Sequence, residues 1–287
     1  MLQVRKVGEL RHEIARWRKA GERIGFVPTM GALHEGHLSL VGIARAQKGS
    51  NCGRVVASVF VNPAQFGPNE DFKRYPRQPE KDAGMLAEAG CDLLFLPDVE
   101  TIYPSGHTVY VDLGNPSETL EGTFRPGHFR GVATVVAVLF NLVQPDVAVF
   151  GEKDAQQLAV IQRMVRDLHF PIEIVPAPTI RETDGLAMSS RNAYLSSEER
   201  KAATILHRSL RKAESAIASG ERRGDEVRRI LFQTLNSEPL ARVEYAEVVD
   251  AETCQPVDTL RGRLVLPLAV RVGGTRLIDN LQLAVEA

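Results

Sequence analysis

Phe26-Val27-Pro28-Thr29-Met30-Gly31-Ala32-Leu33-His34-Glu35-Gly36-His37-Leu38 sets the frame for the whole chain. A short apolar strand, a turn marked by Pro28 and Gly31, and two histidines at the start of a helix follow one another here. Positions i and i+3 share a helix face, so both imidazoles can point into whatever sits above the strand's end. The unpaired N–H groups and positive dipole end of that helix suit a phosphate. Imidazoles over a phosphate are the chemistry of a nucleotidyl-transfer site. The plain alternative is a helix with two partly exposed histidines. A zinc-protease reading fails, because His34 and His37 lack the i,i+4 spacing and the following ligands.

Outward from this stretch the same alternation recurs. Helices are expected at 11–19, 33–48 (ending near Gly49-Ser50), 80–89 and 155–168, with strands at 23–28, 54–61, 91–96, 107–111, 147–150 and 172–175. Residues 131–143 are Val-rich, but their length without turn residues favours a buried helix. Alternating strands and helices imply an α/β fold, a Rossmann-like parallel sheet with helices on both faces, whose ligands sit beyond the carboxyl ends of the strands. After about Thr183 the pattern changes. Ser196-Ser197-Glu198-Glu199 supplies an N-cap and acidic first turn for a long helix 198–219, followed by a helix 225–235 and strands 243–249, 264–272 and 277–285. The expected division is residues 1–183 as the Rossmann-like domain and 184–287 as a smaller C-terminal α+β domain.

Composition narrows the partners. The 287 residues suffice for two domains, and 44% hydrophobic with 25% charged residues is ordinary for a soluble protein. A formal charge of −1 gives no general reason to bind nucleic acid or an anionic membrane. The longest mostly apolar run, 132–143, is too short to span a bilayer. Residues 1–6 lack the apolar core of a secretory signal, and Cys52, Cys91 and Cys254 show neither metal-type pairing nor an even count. A cytosolic location is the expectation.

Three further patches accompany the histidines. Phe60-Val61-Asn62-Pro63-Ala64-Gln65 follows a buried strand, where Asn62 and Gln65 offer uncharged donors and acceptors for a small ligand or merely bond a turn. Gly151-Glu152-Lys153-Asp154 leads into a helix with Gln157 on the face of Asp154; Lys153 meets phosphates there, or Asp154 caps a surface helix. Gly185-Leu186-Ala187-Met188-Ser189-Ser190-Arg191-Asn192 is either a loop that clamps a departing pyrophosphate or an interdomain linker. Arg125-Pro126-Gly127-His128-Phe129-Arg130 is a basic loop facing an acidic substrate or water, and Asp82 either helps bind Mg²⁺ or starts a helix at the surface.

In order and spacing these patches resemble the pantoate–β-alanine ligase (pantothenate synthetase) family nearly end to end, down to the tail Thr275-Arg276-Leu277-Ile278-Asp279-Asn280. His34-Glu35-Gly36-His37 and Met188-Ser189-Ser190-Arg191 also resemble the two signatures of the wider nucleotidyltransferase superfamily. The resemblance implies a Rossmann-type domain with a smaller α+β domain, an active site at their junction and a homodimer. It implies condensation of (R)-pantoate with β-alanine through a pantoyl adenylate, with ATP as substrate and Mg²⁺ as escort.

By the same likeness, ATP is expected on Met30, Gly31, Ala32, Leu33, His34, Glu35, Gly36 and His37, on Gly151, Glu152, Lys153 and Asp154, and on Ile180, Met188, Ser189, Ser190 and Arg191. Catalysis falls to His34, His37, Lys153 and Arg191, pantoate and β-alanine to Gln65, Gln157, Asn62 and Arg125, and the metal side to Asp82. Two positions depart from the family pattern: Ala64 stands where Met is expected, and Ala155 where Tyr is expected. Another adenylyl or cytidylyl transferase on the same fold is the alternative among enzymes. A catalytically silent nucleotide-binding protein is the alternative from a different class.

Overall fold

The computed structural model describes residues 1–46, 53–68 and 70–286. These fall into two compact units. The first holds Met1–Gly114, Glu121–Glu152 and Val160–Ala177, and the second Asn115–Leu120, Lys153–Ala159 and Pro178–Ala287. The expected helix end at Gly49-Ser50, and Cys52, lie outside the described residues.

In chain order the first unit carries β1 (Leu2–Val4), α1 (Val7–Lys19), β2 (Ile24–Thr29), α2 (Glu35–Ala46), β3 (Arg54–Val59), α3 (Pro79–Glu88), β4 (Leu93–Phe95), α4 (Val99–Ile102), α5 (Glu121–Phe124), α6 (His128–Val143), β5 (Val147–Gly151), most of α7 (Ala155–Asp167) and β6 (Glu173–Ala177). The six strands form one sheet in the order β1-β4-β3-β2-β5-β6, every pair parallel. Central strands covered on both faces must be apolar throughout, and Val55, Val56 and Ala57 of β3 are all fully buried. α2 lays Leu40, Val41 and Ala44 on the cluster that also holds Val27, Val55, Val147 and Val149.

From β2 the chain moves outward through β3 and β4, then returns to place β5 on the other side of β2. Strand order therefore reverses between β2 and β5, which pair through Gly25–Val147 and Phe26–Ala148. That reversal opens a crevice beyond the carboxyl ends of these two strands. Their ends are Thr29 and Gly151, where two of the four patches begin.

Residues 131–143 are helical, inside α6, and nearly all of them are buried. The strand expected at 107–111 does not form. Those residues have no regular structure, Val109 is 74% exposed, and the Val111 N–H donates to Thr134 Oγ1 (2.9 Å) instead of to a neighbouring strand.

The second unit has α8 (Ser197–Ala202), α9 (Ile205–Ala218), α10 (Gly224–Leu235), β7 (Ala241–Ala246), β8 (Val249–Asp250), β9 (Gly262–Val272) and β10 (Thr275–Val285). Its sheet is antiparallel, ordered β10-β9-β7, with β8 also on β9. Ser196 caps α8 in a reciprocal box with Glu199 (3.2 and 2.8 Å). The single long helix expected from 198 to 219 is broken after Ala202, where the Thr204 hydroxyl donates back to the Lys201 carbonyl (2.8 Å). Leu206, Leu210, Val227 and Leu231 of α9 and α10 pack with Leu266, Leu268 and Val270 of β9 in one core.

Candidate active site

In the first unit the loop after β2 turns through two consecutive left-handed residues, Gly31 (φ 82°) and Ala32 (φ 50°). Only glycine fits the first of these positions. A Cβ there would lie 2.9 Å from both Asp82 Oδ2 and Val59 Cγ1. The turn is held by Asp82, which is 1% exposed at the start of α3. Its two oxygens accept the N–H groups of Ala32 (3.0 Å) and Leu33 (2.9 Å). A carboxylate accepting backbone N–H groups makes strong, charge-assisted bonds. Asp82 is thus not a surface helix starter; both its oxygens bind the backbone of the loop.

With the loop fixed, His34 and His37 stand together. Their ring centroids are 4.1 Å apart, and the His34 backbone N–H donates to His37 Nδ1 (3.3 Å). Accepting at Nδ1 puts the proton of a neutral His37 ring on Nε2, which leaves that nitrogen as the donor. Met30 is tied to the neighbouring loop, its sulfur accepting from Gln65 Nε2 (2.9 Å).

That neighbouring loop follows β3. Asn62 is 1% exposed, and its amide is fully engaged. Oδ1 accepts from Ala64 N (3.2 Å) and the Tyr103 hydroxyl (2.8 Å), while Nδ2 donates to Gln65 Oε1 (3.0 Å) and the Gly131 carbonyl (3.1 Å). Asn62 therefore shapes the loop and aims Gln65, and direct substrate contact is not its arrangement here. Gly131 permits this closeness: a Cβ on it would sit 2.3 Å from the Ala64 carbonyl oxygen. Ala64 itself is exposed, so the missing Met takes nothing from the core.

Arg125 is also redirected. Its guanidinium forks onto Glu70 (2.7 and 2.6 Å) and reaches the Gln65 carbonyl (3.3 Å), rather than facing an acidic substrate. Burial alone would raise the Glu70 carboxyl, but hydrogen bonding and charge from Arg125 outweigh it and hold the carboxyl below its usual range. His128, a residue that the sequence places only in a basic loop, completes the set. Nδ1–H donates to the Gln65 carbonyl (2.9 Å) and Nε2 accepts from Arg125 (3.1 Å), which defines a neutral tautomer. Burial, then the adjacent Arg125 charge, pushes its pKa down to about 4.

Gly151 ends the adjacent β5, paired with Ala177 of β6, and Glu152 opens the 3-10 turn that follows. The second unit gathers the remaining predicted residues. Lys153 and Asp154 lie half-buried in a short 3-10 turn, with Gln157 half-buried on α7. Gln156, beside it, is buried and donates to the carbonyls of Pro116 (2.9 Å) and Thr119 (2.7 Å). Ala155 packs against a cluster that includes Leu120, Tyr245 and Cys254, where a Tyr would need new room. Ile180 and Met188 close a hairpin (Met188 N–H to Ile180 carbonyl, 3.0 Å) that leads to half-buried Ser189, Ser190 and Arg191. The Ser189 hydroxyl accepts from the Arg191 N–H (3.3 Å), and Ser190 opens a 3-10 turn to Tyr194.

Residues 2–282 match the family model described as pantoate-beta-alanine ligase. The chain is 52% identical over 281 residues to the pantothenate synthetase of Thermoanaerobacter sp. (strain X514), covering 98% of each, and 53% identical over 270 residues to that of Herpetosiphon aurantiacus, covering 94% of this chain and 96% of the other. The crystal structure of pantothenate synthetase from Thermus thermophilus superposes with a TM-score of 0.92 at 50% identity, over 98% of this chain and 99% of that one. The Francisella tularensis pantoate-beta-alanine ligase, crystallised in complex with beta-gamma ATP and beta-alanine, gives a TM-score of 0.79 at 34% identity, over 98% and 97%. Likeness along nearly the whole length, on a sheet whose order reverses beside the two imidazoles, establishes that the chain belongs to the pantoate–β-alanine ligase family.

Proposed function

We propose that the protein joins (R)-pantoate to β-alanine through a pantoyl adenylate. A pantoate carboxylate oxygen attacks the α-phosphorus of ATP and pyrophosphate leaves; the amine of β-alanine then attacks the acyl carbon, and AMP leaves with its electron pair. A carboxylate is a poor acylating agent at neutral pH, and adenylation makes its oxygen a good leaving group. The observation that carries this reading is the imidazole pair of His34 and His37, set by Asp82 at the end of the strand that pairs with β5.

In this reading His34 and His37 donate to the phosphate oxygens. Carboxylate attack on phosphorus needs no base, so their contribution is charge stabilisation in the transition state. Lys153, Ser189, Ser190 and Arg191 hold the departing pyrophosphate. Met30, Gly31, Ala32, Leu33, Glu35 and Gly36, with Gly151, Glu152, Ile180 and Met188, surround the nucleotide, and Asp154 takes its ribose side. Gln65 and Gln157 grip pantoate. Among the described residues no three His, Cys, Asp or Glu side chains cluster to hold a metal. Mg²⁺ enters this reading as escort of the triphosphate, where such ions keep their waters and phosphate ligands. The family likeness also supports a cytosolic homodimer.

A product assay with ATP, Mg²⁺, (R)-pantoate and β-alanine, omitting each substrate in turn, tests the reading. AMP and pantothenate should appear only when acid and amine are both present. Pyrophosphate exchange with pantoate but no amide would indicate an adenylating enzyme with another acceptor. His37→Ala should lower adenylate formation by about 10²–10³-fold while the protein stays folded; unchanged turnover would remove the histidine pair from the chemistry.

A further inference from the structure

The tail motif at 275–280 takes no part in the chemistry above, yet its last two residues are buried: Asp279 is 2% exposed and Asn280 5%. They are adjacent on β10, so their side chains leave the strand in opposite directions. Asp279 Oδ2 accepts from Arg181 Nη1 (2.7 Å), and Oδ1 accepts from Arg181 Nη2 (2.9 Å) and the Asn280 N–H (2.8 Å). The same guanidinium donates to the carbonyls of Gly185 (3.1 Å) and Asn280 (3.3 Å). One planar fork therefore ties a strand of the Ile180–Met188 hairpin, its turn, and β10.

The hairpin has little room to shift. Glu182 N–H bonds the Leu186 carbonyl (2.8 Å), and Gly185 turns at φ +93° against His207, whose Nδ1 would be 2.0 Å from a Cβ. From the next position on β10, Asn280 Nδ2 donates to the Lys153 carbonyl (2.8 Å). A single dipeptide thus holds the backbone of Lys153 and the base of the hairpin that delivers Ser189, Ser190 and Arg191.

We propose that Asp279 and Asn280 are positioning residues that set Lys153 and the Ser189–Arg191 segment in fixed register for binding the triphosphate. The inference rests on the phosphate-binding roles given to those residues by the ligase reading. Displacement of a binding group by an ångström slows a reaction far more than the missing hydrogen bond would by itself.

The test uses the full chain with two substitutions. Asn280→Ala removes the amide on Lys153 and keeps the ion pair, while Arg181→Lys keeps the charge and loses the fork. Pyrophosphate exchange is measured with ATP and pantoate varied separately, alongside circular dichroism and thermal melts. Each folded variant should raise the KM for ATP about tenfold and lower kcat for adenylation about tenfold, with the KM for pantoate within about twofold of the parent. A purely structural role would lower the amount of active protein and leave both KM values in place, which would overturn the proposal. Should Arg181→Lys not fold, Asn280→Ala decides alone. An inactive parent would bring down the ligase reading and this inference with it, whereas an active parent matched by Asn280→Ala would overturn the inference only.

Discussion

The loop that carries His34 and His37 and the hairpin that leads to Ser189–Arg191 are each held by one buried aspartate, by different means. Asp82 accepts two backbone N–H groups of a left-handed turn and has no side-chain cation in that contact. Asp279 meets the guanidinium of Arg181, 98 residues earlier in the chain. A carboxylate over backbone donors depends on the turn's conformation and cannot be matched by a substitution elsewhere. A carboxylate on an arginine depends on a second side chain and can be replaced together with it. The loop and the hairpin thus differ in how they can fail.

The largest expected effect comes from the second unit. Arg181→Met leaves the Asp279 carboxylate buried with only the Asn280 N–H, which should cost about 3–5 kcal/mol in urea unfolding. Adding Asp279→Leu removes the stranded charge and should restore more than half of that loss, because buried pairs exchanged as a pair for apolar residues are often tolerated. A double variant as unstable as Arg181→Met would mean that backbone shape holds the hairpin as well, and the contrast with Asp82 would disappear.

Acid should act on the first unit through His128, which is neutral and faces Arg125, Glu70 and Glu121. Its pKa in the folded chain is about 4 against an ordinary 6.5, so between those values the unfolded chain takes up a proton that the folded chain refuses. Stability is therefore lost as pH falls through this window, by about 2–3 kcal/mol at pH 4.5 from this group. Glu70, whose carboxyl is held low, adds a loss of the same sign. His128→Asn keeps a donor for the Gln65 carbonyl and cannot titrate. Comparing urea midpoints at pH 7 and 4.5, the difference should shrink in the variant, and an unchanged difference would assign the acid sensitivity elsewhere.

What the sequence revealed follows the same divide. The parallel sheet and the helical state of residues 131–143 were legible because periodicity and run length report burial directly, whereas the strand order, with its switch between β2 and β5, emerges only from the fold. The site motifs were legible as motifs, and three of the four sit where a strand ends. Their supports were not. Asp82 appears in sequence as an ordinary acidic residue in a helix's first turn, and nothing local shows that its partners lie 49 and 50 positions away. Asn62 and Arg125 look like ligand-facing residues because their types suit a ligand; only the fold reveals that Tyr103, Gly131 and Glu70 have already engaged them. The segment 107–111 has strand composition, but among the described residues it pairs with no strand. Asp279 and Asn280 were visible as part of a family-like tail, without a task.

The smallest expected change in stability is the most informative about chemistry. Asp82→Asn alters one oxygen to an NH₂ that must face either the Ala32 or the Leu33 N–H, so one bond becomes a donor–donor contact. The loss should be about 1–3 kcal/mol, as for a buried hydrogen bond left unmade. No second substitution can repair it, because the displaced partner is backbone. Gly31 and Ala32 would then be free to leave their left-handed conformations, and the His34–His37 ring contact would go with them. Adenylate formation should therefore fall about tenfold or more at a temperature where the variant is fully folded, with the KM for β-alanine unchanged. Equal rates in parent and variant would show that the histidine pair is held by α2 itself. The carboxylate would then serve stability alone, and the first unit would resemble the second less than the matching aspartates suggest.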